Sequence, residues 1–234
     1  MPFAPRAITA VLPADLLTLI DPALPFQDLT QERGLEPAPR VQVGDKVVPA
    51  VGGMPLFMKL GHGRMGAVYY GVSPASKSSV AVKIVPVAVA NKDLVQRFHR
   101  EVRIASTIRS PHLVTIRGLG EQNSLYYVVT DFVPGTSAGL YLQDARKAGK
   151  VGLPEALALD LCIAAVTGLV EAHKNGIIHG DVRPENILIP RDKQTGQLSY
   201  NDALLADLGL PRVEELGGIL KDSSAAMGTP GFMS

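Results

Sequence analysis

Apolar and polar positions change rhythm along the chain, and each rhythm predicts an element. Phe57-Met58-Lys59-Leu60 and Ala67-Val68-Tyr69-Tyr70 read as β-prone runs around a glycine-rich turn. Val80-Ala81-Val82-Lys83-Ile84-Val85 is an apolar strand carrying one lysine. Over residues 91–108, Leu94, Phe98, Val102, Ala105 and Ile108 recur every three or four positions, which predicts a helix stopped by Pro111. Residues 113–119 and 125–132 read as a strand pair around the turn Glu121-Gln122-Asn123-Ser124. Pro134-Gly135-Thr136-Ser137 breaks the pattern, and a short helix follows over 140–148. Pro154 opens a longer helix with Leu157, Leu161, Ala164, Gly168 and Leu169 on one face, and Asn175-Gly176 supplies its stop signal. Ile187-Leu188-Ile189 and residues 203–206 are short strands, joined by a polar excursion over 191–202.

The first 50 residues look different. Pro2, Pro5, Pro13, Pro22, Pro25, Pro37, Pro39 and Pro49 remove backbone donors and disfavour helix in the residues before them. Residues 1–50 are therefore expected to be a tail or linker, with Leu16-Leu17-Thr18-Leu19-Ile20 forming a turn of helix or docking on the main domain. Residues 51–133 form a first lobe, and 134–234 a second, with 134–137 as the natural hinge.

Composition narrows the classes. The 234 residues are 46% apolar and 19% charged, enough for one large domain or two small lobes with a real core. A net charge of +1 gives no electrostatic case for nucleic acid or an acidic membrane. The single cysteine, Cys162, excludes an internal disulfide and is expected to be a buried thiol in an apolar helix. No uninterrupted run of about 18 apolar residues predicts a membrane span. Pro2, Pro5, Pro13 and Asp15 interrupt any secretory signal pattern, so the expectation is a soluble cytoplasmic protein.

The chemistry concentrates in residues 178–188, Ile-His-Gly-Asp-Val-Arg-Pro-Glu-Asn-Ile-Leu. Asp181 and Asn186 pair a carboxylate with an amide, which suits phosphoryl transfer: one receives a hydroxyl proton, the other holds a magnesium ion. Alone the stretch also reads as a polar turn, or as the loop of a small-molecule phosphotransferase. Gly61, Gly63 and Gly66 allow a backbone to approach phosphates or simply to turn a hairpin. The β-prone run after them argues against a dinucleotide-binding turn, which opens a helix instead. Lys83 is a cation for nucleotide phosphates or a solvent-facing lysine on an edge strand. Glu101 lies beside its helix stripe, where it can reach Lys83 or face water. Asp207-Leu208-Gly209 ends a strand with a carboxylate, a second magnesium ligand or a plain turn.

In this order and spacing the six features resemble the eukaryotic-like Ser/Thr protein kinases, above all their bacterial branch, over about residues 55–234. The resemblance implies an α+β, protein kinase-like bilobal fold with a β-rich N-lobe and an incomplete, mostly helical C-lobe ending in the activation segment. It implies ATP and Mg2+ as cofactors and protein substrates as partners. Gly61, Gly63 and Gly66, with Leu60 before them, would cover the ATP phosphates. Lys83 would hold the phosphates and pair with Glu101. Asp181 would be the catalytic base, with Arg183 beside it, and Asn186 and Asp207 the metal ligands. Val68, Ala81 and Leu188 would sandwich the adenine, Asp131 to Val133 would offer backbone groups to it, and Thr130 would stand as a small gatekeeper.

The sequence departs from the family pattern at four places. Gly180 replaces the arginine that clamps an activation-loop phosphate, which makes control by loop phosphorylation less expected. Arg183 replaces a lysine, which predicts reduced transfer. Leu208 replaces a phenylalanine. Past Gly228-Thr229-Pro230-Gly231-Phe232-Met233-Ser234, where the family continues into further helices, this chain stops. The expectations are thus an active kinase, with Ser223, Ser224 and Thr229 as candidate autophosphorylation sites, or a nucleotide-binding module that performs no transfer.

Overall fold

A computed structural model describes residues 7–63, 66–86 and 92–208. These fall into two compact units, one drawn from Met1–Asn91 with Arg117–Phe132, the other from Lys92–Ile116 with Val133–Ser234.

The first unit is built on strands β1 (Ile8–Leu12), β2 (Arg40–Val43), β3 (Lys46–Val51), β4 (Met54–Gly63), β5 (Gly66–Ser73), β6 (Ser78–Pro86), β7 (Ile116–Gln122) and β8 (Leu125–Asp131). Their order is β1-β2-β3-β4-β5-β6-β8-β7. Alternation along β6 sends Val80, Val82 and Ile84 into one core with Leu35, Val51, Leu56, Tyr69 and Val129. Ala81 and Lys83 take the intervening positions. A second cluster holds Leu16, Val41, Val43, Val48, Phe57, Tyr70 and Val72.

The expected tail over residues 1–50 is not a tail. Its described residues supply β1, β2 and most of β3, and bury Leu16, Leu29, Leu35 and Ala38. The prolines mislead because Pro13, Pro39 and Pro49 each have a place in ordered structure. Pro13 precedes the 3-10 turn Ala14–Leu19 with φ −55°. The Ala50 N–H bonds the Pro39 carbonyl, so the Pro49 nitrogen faces the other side, where pairing with β4 starts only at Ala50. Tyr70 ties the segment down: its hydroxyl accepts from the Asp21 N–H at 3.0 Å, donates to the Leu19 carbonyl at 3.3 Å and meets Ser79 Oγ at 2.7 Å.

The second unit contains α1 (Lys92–Ala105), β9 (Gly135–Ser137), α2 (Ala138–Lys147), α3 (Glu155–Lys174), β10 (Ile187–Pro190) and β11 (Leu204–Leu205). The break at 134–137 turns out to be β9, which pairs antiparallel with β10. Ser137 then caps α2 by accepting from the Leu140 N–H at 3.2 Å. On α1 the stripe residues Val102, Ala105 and Ile108 just beyond are buried, while the Leu94 and Phe98 side chains lie outside the described residues. Residues 113–114 join β11 rather than a strand pair: the Val114 N–H bonds the Leu205 carbonyl, and the Leu205 N–H the His112 carbonyl.

Helix α3 has the predicted inner face, with Leu161, Ala164 and Gly168 buried, and Leu161 and Ala164 clustered with Ala138, Ile189 and Ala203. By length and composition it would also suffice to cross a membrane, and 28% of its apolar stretch is buried within the protein. Cys162 is exposed, contrary to the sequence expectation. It shares the outer side with Leu159, Ile163 and Val166, because an apolar run longer than one stripe turns part of itself outward.

Candidate active site

The site begins where α3 ends. Gly176 adopts φ +72°, and the Ile177 N–H returns to the Ala172 carbonyl. The chain then buries His179, which is 3% exposed. Its Nδ1 accepts from the Asp181 N–H at 3.2 Å, so the proton sits on Nε2, which donates to the Ala206 carbonyl at 2.7 Å. The 3-10 turn Pro184–Asn186 brings Asn186 back to Asp181. Asn186 Nδ2 donates to the Asp181 carbonyl at 2.8 Å and to its Oδ2 at 3.2 Å. The Asn186 carbonyl accepts from the Ala206 N–H at 2.8 Å.

Ala206 is therefore bonded through both its backbone groups, and Asp207 follows it directly. Asp207 holds φ +65°, an uncommon conformation for a residue with a Cβ. Such strain, of order 1 kcal/mol, persists where the surroundings over-determine it. Asn186 is thus bonded directly to Asp181, and through its carbonyl to the residue before Asp207. The sequence reading gave His179 no role of its own; the signal available was its place two residues before Asp181, next to an apolar pair.

Arg183 donates from Nε to Glu185 Oε2 at 2.7 Å. That hydrogen bond pushes the guanidinium further above its ordinary value and holds the Glu185 carboxyl below its own. Glu185 is a second residue the sequence reading passed over. Gly180, where the resemblance expects arginine, has φ +76°, a conformation that disfavours any side chain. Leu208 is buried, and Leu188 pairs with Leu204 on one side and Ser137 on the other.

In the first unit the glycine-rich strand–turn–strand is formed by β4 and β5, with Gly61 opposite Val68 and Gly63 opposite Gly66. Gly66 is required where it stands: with φ +111°, a Cβ there would lie 1.9 Å from the Ile84 carbonyl oxygen. Lys83 pairs across to Val68 on β5 and Val128 on β8, and is only 9% exposed. Ala81 pairs with Tyr70 and Thr130. Leu60 is exposed, and Asp131 binds the Arg117 guanidinium through its carboxylate. Glu101 is half-buried on α1, and Val133 half-buried at the start of the following loop. Arg64, Met65, Gly209, Ser223, Ser224 and Thr229 lie outside the described residues.

The donors at 181, 186 and 207 are hard oxygens of a kind that suits a divalent cation carrying phosphate. That donor set fits a divalent metal carrying a nucleotide phosphate.

Comparison with known proteins agrees. The protein kinase domain family matches residues 55–234. Serine/threonine-protein kinase pkn2 of Myxococcus xanthus is 33% identical over 178 residues, 75% of this chain and 20% of that protein. Pkn1 of the same organism is 31% identical over 203 residues, covering 84% of this chain and 27% of that one. The chain therefore spans about a quarter or less of these relatives' length. The crystal structure of the Mycobacterium tuberculosis PknI kinase domain superposes with a TM-score of 0.58 at 28% identity, over 69% of this chain and 62% of that one. With its β-rich unit, its helical unit and its catalytic loop, the chain belongs to the protein kinase family.

Proposed function

We propose that the chain transfers the γ-phosphoryl group of ATP to Ser or Thr hydroxyls of protein substrates, with Mg2+ as its metal and the cytoplasm as its compartment. The observation that carries the reading is the lock between Asn186 and Asp181, next to the doubly bonded Ala206 that presents Asp207. With its amide nitrogen committed to Asp181, Asn186 has Oδ1 left to meet a cation. Asp181 receives the substrate hydroxyl proton. Lys83 meets the phosphates. Asn186 and Asp207 would hold the metal, which would supply charge to offset that of the transferring phosphate. Val68 and Ala81 meet the adenine, with Thr130 and residues 131–132 at its edge.

Arg183 favours slow transfer, because its guanidinium is engaged by Glu185. A module that binds nucleotide without transfer is therefore the second reading. One set of variants separates them. Mg-ATP should raise the melting temperature of the wild type and of Asp181→Asn, but not of Lys83→Ala or Asp207→Ala. Mass spectrometry of an added basic protein should find phosphoserine or phosphothreonine only with the wild type. Equal shifts in all four proteins would sink the site assignment. A wild-type shift without transfer would select the second reading, and phosphotyrosine as the main product would contradict the Ser/Thr assignment.

A further inference from the structure

Strand β4 delivers the glycine-rich turn, and its course is irregular. Pairing steps from Leu56 opposite Gly71 to Met58 opposite Tyr70, and again from Lys59 opposite Tyr69 to Gly61 opposite Val68. Phe57 and Leu60 are thus extra residues, each bending the strand and increasing its twist. Two such irregularities re-aim the strand just before the glycine-rich turn. On the other edge, β3 pairs with β4 only at Pro55 and Met54.

Beyond that point Gln27 takes over. Its backbone N–H donates to the Phe57 carbonyl at 2.9 Å, and its Oε1 accepts from the Lys59 N–H at 3.0 Å. One residue therefore bridges β4 from the first irregular position to the residue before the second. Glu32 adds a hold on the same strand, its carboxylate 2.6 Å from the Lys59 ammonium. Gln27 is itself fixed from both sides. The Phe26 ring stands 6.4 Å from the Phe57 ring, with the Lys46 ammonium over it. Asp28 closes a turn by accepting from both the N–H and the hydroxyl of Thr30, and Leu29 is buried in the core.

We infer that Gln27 is a positioning residue for the glycine-rich end of β4: it splints the strand across its two irregular steps and so sets where Gly61 and Gly63 lie. The inference rests on the kinase reading of those glycines. Gln27 touches no nucleotide; it acts through the Phe57 carbonyl and the Lys59 amide.

The test compares full-length wild type, Gln27→Met and Gln27→Glu. Methionine keeps the length of the side chain and removes the acceptor, whereas glutamate retains one. Amide hydrogen exchange at Lys59 is read without nucleotide, and the KM for ATP and kcat with it. Gln27→Met should exchange faster at Lys59 and raise the KM for ATP about threefold, the low end for a hydrogen bond because water competes at an exposed site. Its kcat should be unchanged, and Gln27→Glu should match the wild type in both. The double variant Gln27→Met/Glu32→Gln should raise the KM further. A part that merely stabilises the fold would lower the melting temperature and leave the KM alone. That result, in a wild type that binds Mg-ATP, overturns the inference while the kinase reading stands. A wild type that binds no Mg-ATP sinks the kinase reading and this inference with it.

Discussion

Arg40 offers the sharpest test of whether the proline-rich start of the chain belongs to the folded unit. It stands on β2 with 7% of its surface exposed. Nη1 donates to the Leu35 carbonyl at 3.3 Å and the Ala38 carbonyl at 3.0 Å, and Nη2 to the Thr30 carbonyl at 2.7 Å. These carbonyls belong to the loop that inserts Leu35 and Ala38, both 0% exposed, under the sheet. Irregular backbone can be buried there only because a side chain satisfies it. Arg40→Met keeps most of the aliphatic stem and deletes the donors.

Two of the orphaned carbonyls are in buried bonds, and each loses about 1–3 kcal/mol of compensation, so the gross loss is about 2–6 kcal/mol. Removing a buried guanidinium also removes its desolvation penalty, which offsets part of this and leaves about 2–3 kcal/mol. For a protein of this size 1 kcal/mol shifts the melting temperature by about 2–4 °C, so the expected fall is about 4–12 °C. Circular dichroism melts measure it, and hydrogen exchange should localise the change to residues 28–51. Arg40→Lys should recover only part, since an ammonium cannot fork to the same set of carbonyls. A fall below about 2 °C, or loosened exchange spread evenly over both units, would refute the reasoning.

Two further outcomes concern the catalytic loop. Gly180→Ala should lower stability by about 1 kcal/mol, because φ +76° is costly for any residue with a Cβ, and chemical denaturation would show it; a neutral or stabilised variant would count against the backbone geometry. The Glu185 carboxyl is held below its ordinary value of 4.5 chiefly by the Arg183 hydrogen bond. Between those two values the unfolded chain binds more protons than the folded one, so this contribution is present above about pH 4.5 and disappears as pH falls through the lower, folded value. The pair is largely solvated, which limits it to under about 1 kcal/mol. The melting temperature of wild type should therefore exceed that of Glu185→Gln at pH 6, and the gap should shrink as the pH falls below 4.5; a gap that widens in acid would contradict the sign.

Periodicity and spacing made much of this legible. The stripe on α3 and the alternation on β6 were readable because burial on one side imposes a repeat. Asp181 and Asn186 were readable because five residues with a proline between them fit one tight turn. Pro49 hid a strand, because whether a missing donor matters depends on which edge of the ladder it faces. Cys162 was misplaced because hydropathy cannot separate an apolar residue on the packed side of a helix from one on the outer side. His179, Glu185 and Gln27 went unread for a shared reason: each acts on backbone groups or on a neighbouring side chain brought in by the fold.

The same reasoning bears on how the catalytic loop is controlled. An arginine before the catalytic aspartate, which the family resemblance expects, needs a backbone that a side chain can occupy. Here φ +76° at Gly180 disfavours one. The guanidinium the loop does contain, Arg183, is bonded to Glu185 within the loop itself. Its charge is therefore balanced locally, and a phosphate offered from outside would have to compete with that carboxylate. The loop's organisation comes from His179, Asn186 and the Ala206 backbone, contacts that require no added phosphate. A loop assembled from internal hydrogen bonds should hold the same geometry in a chain that has never been phosphorylated. Phosphatase treatment of the purified protein should then leave its affinity for Mg-ATP unchanged, and a loss would place an essential phosphate in the site after all.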